Sequence, residues 1–187
     1  QHASSSVTSD NYAGGGKVAR LLVERGYCRF GYLAGLEDSS TSIERERGYR
    51  DTLRQLGHDV SCREAGHYSF GLAQAAVRRM FAGDAAPDAL FVGNDHMAIA
   101  ALDVLRQEFG LRVPEDVAVV GFHDGPQASW GAYQLTTVRQ RVEPMVDATV
   151  NLLSEQMQAE LRPRDVVVPC DLIERATVRA KPKDNDL

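Results

Sequence analysis

The sequence predicts an α/β fold: an open parallel sheet with helices on both faces. Three short apolar runs carry that expectation, Phe30–Gly35 (FGYLAG), Ala89–Asn94 (ALFVGN) and Val117–Phe122 (VAVVGF), each closing on small, turn-forming or polar neighbours. Strands covered on both faces lose the in-out alternation of a half-exposed strand, so continuous apolar runs of this length read as buried parallel strands. Between them lie stretches with helical spacing, at intervals suited to βαβ units. The composition, 43% hydrophobic and 25% charged, is that of a folded globular chain.

Taken in order, the first element is a helix over Tyr12–Arg25, stopped by Gly26. After the strand at Phe30–Gly35, Glu44–Leu56 reads as a helix with Arg47 and Asp51 as an i, i+4 ion pair and Gly57 as its stop. A weaker strand lies at Val60–Glu64. Leu72, Ala76 and Met80, with Ala73, Val77 and Phe81, form paired i, i+4 rows behind an N-cap at Ser69. His96–Phe109 is a further helix, ending at Gly110 with Pro114 just beyond. Leu135–Gln140 (LTTVRQ) reads as a strand, followed by a helix with Pro144 in its first turn and its end near Met157. A loop holding Pro163 leads to Val166–Pro169 and a closing strand at Leu172–Glu174, and the tail Lys181–Leu187 is polar and expected to be loose.

Several function classes drop out at this level. No apolar run approaches the roughly 18 residues a spanning helix needs, so no membrane partner is expected, and Gln1–Asp10 is polar and Ser-rich, unlike an export signal. Gln in place of an initiating Met reads as a segment of a longer chain. The net charge of -5 is wrong for a surface that neutralises phosphates, so this segment should not bind DNA by itself. Cys28, Cys62 and Cys170 are odd in number and far apart, which suits reduced thiols, and His2, His58, His67, His96 and His123 show no metal spacing. Gly14-Gly15-Gly16-Lys17-Val18 mimics part of a phosphate loop, but Asn11 stands at the first glycine position and Val18 replaces the magnesium-binding hydroxyl. It reads instead as a flexible helix entry. No nucleophile elbow, dinucleotide fingerprint or zinc-protease motif is present in the sequence.

What remains is a pattern of polar residues immediately after the strands. In an open parallel sheet, ligands bind beyond the carboxyl ends of the strands. Leu36–Arg45, Gly66–Ser69, Asn94-Asp95 and His123-Asp124 should therefore share one edge. Each member has two readings. Arg45 offers a planar fork for hydroxyls or a carboxylate, or belongs with Glu44, Glu46 and Arg47 to a solvated helix start. Asn94 and Asp95 contact a ligand or cap the next helix; Tyr68 stacks on a ring or packs in a core; His123 meets a ligand or is merely solvated.

Val7–Tyr27, Arg45–Tyr49 (RERGY), Ala89–Asp95 (ALFVGND), Val113–Asp124 (VPEDVAVVGFHD), Leu135–Gln140 (LTTVRQ) and Leu172–Arg175 (LIER) resemble, in order and spacing, the effector-binding core of LacI/GalR transcription regulators. The resemblance covers about residues 7–178. It implies a fold like that of periplasmic sugar-binding proteins, with two subdomains and a ligand between them. Residues 1–11 would be a partial linker from the N-terminal subdomain, 12–134 the C-terminal effector-binding subdomain, 135–161 a segment of the N-terminal subdomain, 162–180 the return, and 181–187 the tail. It also implies that Arg45, Tyr68, Asn94 and Gln140 bind a small polar effector, a sugar or sugar derivative, with no cofactor and no catalysis.

Departures from the family bear on the ligand. His123 stands where the family often has Asp, which accepts two hydroxyls; paired with Arg45, it suits a sugar acid. Arg141 and Tyr133-Gln134 replace frequent prolines at the crossing. The helix His96–Phe109 is apolar nearly all round, so Met97, Ala101 and Leu105, with Trp130 and Tyr133 in a nearby loop, are expected at a homodimer interface. Operator DNA would be met only through a headpiece outside this chain, in the cytoplasm. The rival readings are a periplasmic solute-binding protein of an ABC transporter and a small α/β enzyme using His123 with Asp124 or Asp95.

Overall fold

Alternation of buried strands and amphipathic helices produces the expected layers in the computed structural model, which describes residues 5–156 and 163–181. In chain order the elements are β1 (Ser6–Ser9), α1 (Asn11–Glu24), β2 (Phe30–Ala34), α2 (Ser40–Gln55), β3 (Val60–Ala65), α3 (Phe70–Phe81), β4 (Ala89–Val92), α4 (Asp95–Gln107) and β5 (Ala118–His123). A 3-10 turn at Pro126–Ser129 is followed by β6 (Thr136–Gln140), α5 (Val142–Gln156), β7 (Asp165–Val168) and β8 (Cys170–Ile173). The main sheet has the order β3-β2-β4-β5-β6-β8; its first five strands are parallel, and β8 runs antiparallel to β6. A separate two-stranded parallel sheet pairs β1 with β7, in the register Ser6↔Asp165 to Ser9↔Val168.

Side chains that alternate along each strand feed two different cores. Phe30, Tyr32, Phe91, Val120 and Phe122 pack under α1 and α2, whereas Leu33, Leu90, Val92 and Val119 pack under α3 and α4. This double coverage is why the strands carry apolar residues without a break, and each fully buried large side chain adds about 1.5–3 kcal/mol. Helix starts follow local chemistry: Asp10, Ser69 and Asn94 accept from the backbone N–H of Ala13, Leu72 and Met97.

Several details differ from the sequence reading. Arg47 pairs with Glu44, while Asp51 accepts from the Tyr12 hydroxyl and pairs with Arg54; the i, i+3 partners lie closer than the expected i, i+4 one. Leu72 is exposed, although the other members of its rows are buried. The glycine run is a packing surface, not a flexible entry: a Cβ on Gly15 would strike the Arg45 carbonyl, and one on Gly48 would strike the carbonyl of Tyr12. Met97, Ala101 and Leu105 are fully buried within this chain, because α3 covers the side of α4 that the sheet leaves open. They therefore cannot present the dimer surface expected of them.

The crossing out of the sheet also comes later than Leu135. Thr136–Gln140 stays laddered to β5, so within 135–161 it is α5 that departs. Within 162–180, β7 joins β1 before β8 returns to the main sheet. The strand β1 has no apolar run to announce it; its pairing with β7 defines it. The expected helix end near Met157 and the tail from 182 onward lie outside the described residues.

If the α1–α2 crossing needs bare backbone, Gly48→Ala should lower stability by about 1–3 kcal/mol. Gly71→Ala, in a helix with open space around it, should be neutral or stabilising by up to ~1 kcal/mol. Urea unfolding distinguishes them, and equal effects would contradict the close approach.

Candidate functional site

Parallel pairing sends the carboxyl ends of β2 to β6 to one edge, and Arg45, Tyr68, Asn94, His123 and Gln140 line a single cleft there, of about 490 Å³. That volume lies within the range of small-molecule sites. The sequence-predicted residues come from five separate segments, and the fold brings all of them together.

Arg45 sits in the second turn of α2 and is only 8% exposed. Its Nε donates to Asn11 Oδ1 (2.8 Å), its Nη1 donates to the Gly93 carbonyl (2.6 Å), and its guanidinium lies 3.8 Å from the centre of the Phe122 ring. The solvated-helix reading is thereby excluded. Burial pulls its pKa down, yet a guanidinium stays charged, and among the described residues no carboxylate forms an ion pair with it. A buried cation held by neutral acceptors and an aromatic face retains donor capacity for a ligand.

Asn94 performs the capping role, accepting from Met97 N–H at 2.9 Å, which leaves its amide nitrogen for a ligand. Asp95 is structural: buried, it accepts from the Thr137 hydroxyl (2.6 Å) and from Gly125 N–H (2.8 Å), tying α4 to β6 and to the loop after β5. Burial raises its pKa, and the bonds from Thr137 and Gly125 oppose that rise. Gly121 is bare backbone because a Cβ there would strike the Asp95 carboxylate. Tyr68 satisfies both of its readings: the half-buried ring covers Gly35, packs against the α3–α4 core and lines the cleft.

His123 ends β5 with φ 126°, followed by Asp124 at φ 60°, and His67 and Tyr68 also have positive φ. Such conformations cost about 1–3 kcal/mol each in non-glycine residues and cluster where function holds the backbone. The His123 Nδ1 meets Gln140 Oε1 at 2.8 Å, and Gln140 Nε2 donates to Ser9 Oγ at 3.0 Å. Asp124 is half-buried, with its side chain only 7% exposed, and is held by Arg139 (2.6 Å) and Arg175 (2.7 Å). Burial pushes its carboxyl up, but the two guanidinium hydrogen bonds more than reverse this and hold it below the usual carboxylate range.

Trp130, 54% exposed, and the half-buried Tyr133 line the same cleft, with Ile99 and Gln127. Sequence reasoning missed Phe122 as a platform, although it directly precedes His123. It also missed Asn11 and Ser9, whose partners lie far along the chain and leave no local signal.

A sequence family described as a periplasmic binding protein-like domain matches residues 19–178. The HTH-type transcriptional regulator CelR of Thermobifida fusca is 38% identical over 158 residues, covering 82% of this chain and 46% of that protein. Among solved structures, a transcriptional regulator CelR-cellobiose complex superposes with a TM-score of 0.87 at 34% identity, covering 94% of this chain and 54% of that one. The dimeric Lac repressor with an 11-residue C-terminal deletion gives 0.88 at 26% identity, covering 97% and 66%. The chain spans about half the length of the curated relatives it matches.

Asp124 provides a pH test. A folded pKa below the unfolded value contributes stability that is present above the unfolded pKa, about 3.9, and is lost as pH falls through the folded one. Asp124→Asn should therefore be less stable than the native protein at pH 7, and the gap should close below about pH 4. A gap that does not change with pH in thermal melts would contradict this.

Proposed function

The chain belongs to the periplasmic binding protein-like domain family, in its LacI/GalR regulator branch, and we propose from that membership that its cleft holds a small polar effector, a sugar or sugar derivative. The observation that carries this is the convergence of Arg45, Tyr68, Asn94, His123 and Gln140 on one cleft from five segments. A fork of donors, an amide, an imidazole and two aromatic faces, Tyr68 and Phe122, match the hydroxyls and the apolar ring face of a saccharide. The cellobiose complex of a structural relative supports a saccharide.

In the whole regulator the effector closes two subdomains and thereby alters how paired headpieces sit on an operator, in the cytoplasm. The switch is driven by affinity that differs between the two states. The face of α5 bearing Val142, Val146, Val150 and Leu153 is exposed here. In this reading it packs within the N-terminal subdomain, together with β1 and β7, since an isolated pair of strands is marginal in water. Homodimerisation uses Trp130 and Tyr133 with the exposed rim beside them. The protein performs no chemistry on its ligand: both Asp95 oxygens and both Asp124 oxygens are engaged, which disfavours the enzyme reading.

Calorimetry of the full-length regulator against neutral sugars and sugar acids tests the reading. Arg45→Ala should weaken the bound member about tenfold or more while the circular dichroism of the fold persists, as expected for loss of a charge-assisted hydrogen bond. Unchanged affinity would remove Arg45 from the site. Because the one carboxylate lining the cleft, Asp95, is fully engaged, a sugar acid is the second reading; binding of neutral sugars alone would eliminate it.

A further inference from the structure

Two residues outside the cleft hold its two most specialised side chains in place. Ser9, the last residue of β1, is 3% exposed, and Asn11, the first of α1, is 5% exposed. Both lie in the segment that leads from the small sheet to the main body. The Ser9 hydroxyl donates to Met145 Sδ in α5 (3.2 Å) and accepts from the Gln140 amide N–H (3.0 Å). Gln140 turns its oxygen to His123 Nδ1 at 2.8 Å, and with the amide in that orientation Nδ1 carries the proton. On the other side, Asn11 Nδ2 donates to the Ser9 carbonyl (2.8 Å), so its oxygen faces Arg45 Nε.

We propose that Ser9 and Asn11 are the positioning residues of the cleft, setting the protonated nitrogen of His123 through Gln140 and the orientation of the Arg45 fork directly. The inference rests on the effector reading only for its consequence. With Nδ1–H committed to Gln140, the neutral imidazole has Nε2 as an acceptor for one ligand hydroxyl, where a carboxylate would accept two. Because the same hydroxyl of Ser9 reaches α5, the His123–Gln140–Ser9 chain links the cleft to the crossing between the two sheets.

The test needs no ligand, so its outcome is independent of the effector reading. Nitrogen-15 NMR of the native protein, with the imidazole neutral, should show His123 protonated on Nδ1; an Nε2–H form would overturn the proposal without any variant. Ser9→Ala should release Gln140 and shift His123 toward the Nε2–H form. Asn11→Ala should speed exchange of the Arg45 Nε–H about tenfold, the effect of losing a hydrogen bond from a charged donor. A folded Ser9→Ala protein that keeps Nδ1–H, or a folded Asn11→Ala protein with unchanged Arg45 exchange, would also overturn it.

Discussion

The direction of five strands is the constraint on which everything else in this molecule depends. β3, β2, β4, β5 and β6 run parallel, so their carboxyl ends share one edge, and each strand end or the segment after it delivers a polar side chain to the same place. Arg45 and Gln140 are remote in sequence, and no local interaction would bring them together. The ladder does so, and the ladder persists because apolar cores cover it on both faces. Reversal of a single central strand would send its loop to the opposite edge and dismantle the cleft.

On this frame sits a site that is costly to build. A buried guanidinium that pairs with no carboxylate among the described residues carries a desolvation penalty of several kcal/mol. Asn11, the Gly93 carbonyl and the Phe122 ring offset part of it. Its position in turn depends on α2 lying close against α1, which requires bare backbone at Gly15 and Gly48. Positive φ at His67, Tyr68, His123 and Asp124 adds local strain at the same edge. Such residues are tolerated where the surrounding structure over-determines them, and here Asp95, Arg139 and Arg175 brace the loops from behind.

The legible part of this architecture was the part written in short-range patterns. Apolar runs marked β2, β4 and β5, helical spacing and end signals marked α1 to α4, and polar residues after the strands marked the cleft. What could not be read depends on partners distant in the chain. β1 is Ser-rich and becomes a strand through β7, 159 residues away at Ser6 and Asp165. Met97, Ala101 and Leu105 suggested an open apolar face, but only the placement of α3 decides that they are covered. Arg45 was ambiguous between solvent and site because burial of a charge is a property of the assembled layers. Asn11, seen in sequence only as a missing glycine, is an anchor of that arginine.

Fold, cleft geometry and family membership support the proposed effector-binding role of this cleft. The most direct test is hydrogen–deuterium exchange on the full-length protein with and without a saturating sugar identified by calorimetry. The account predicts added protection in all five rim segments, around Arg45, Tyr68, Asn94, His123 and Gln140. Protection confined to other surfaces, with those five segments unchanged, would contradict it.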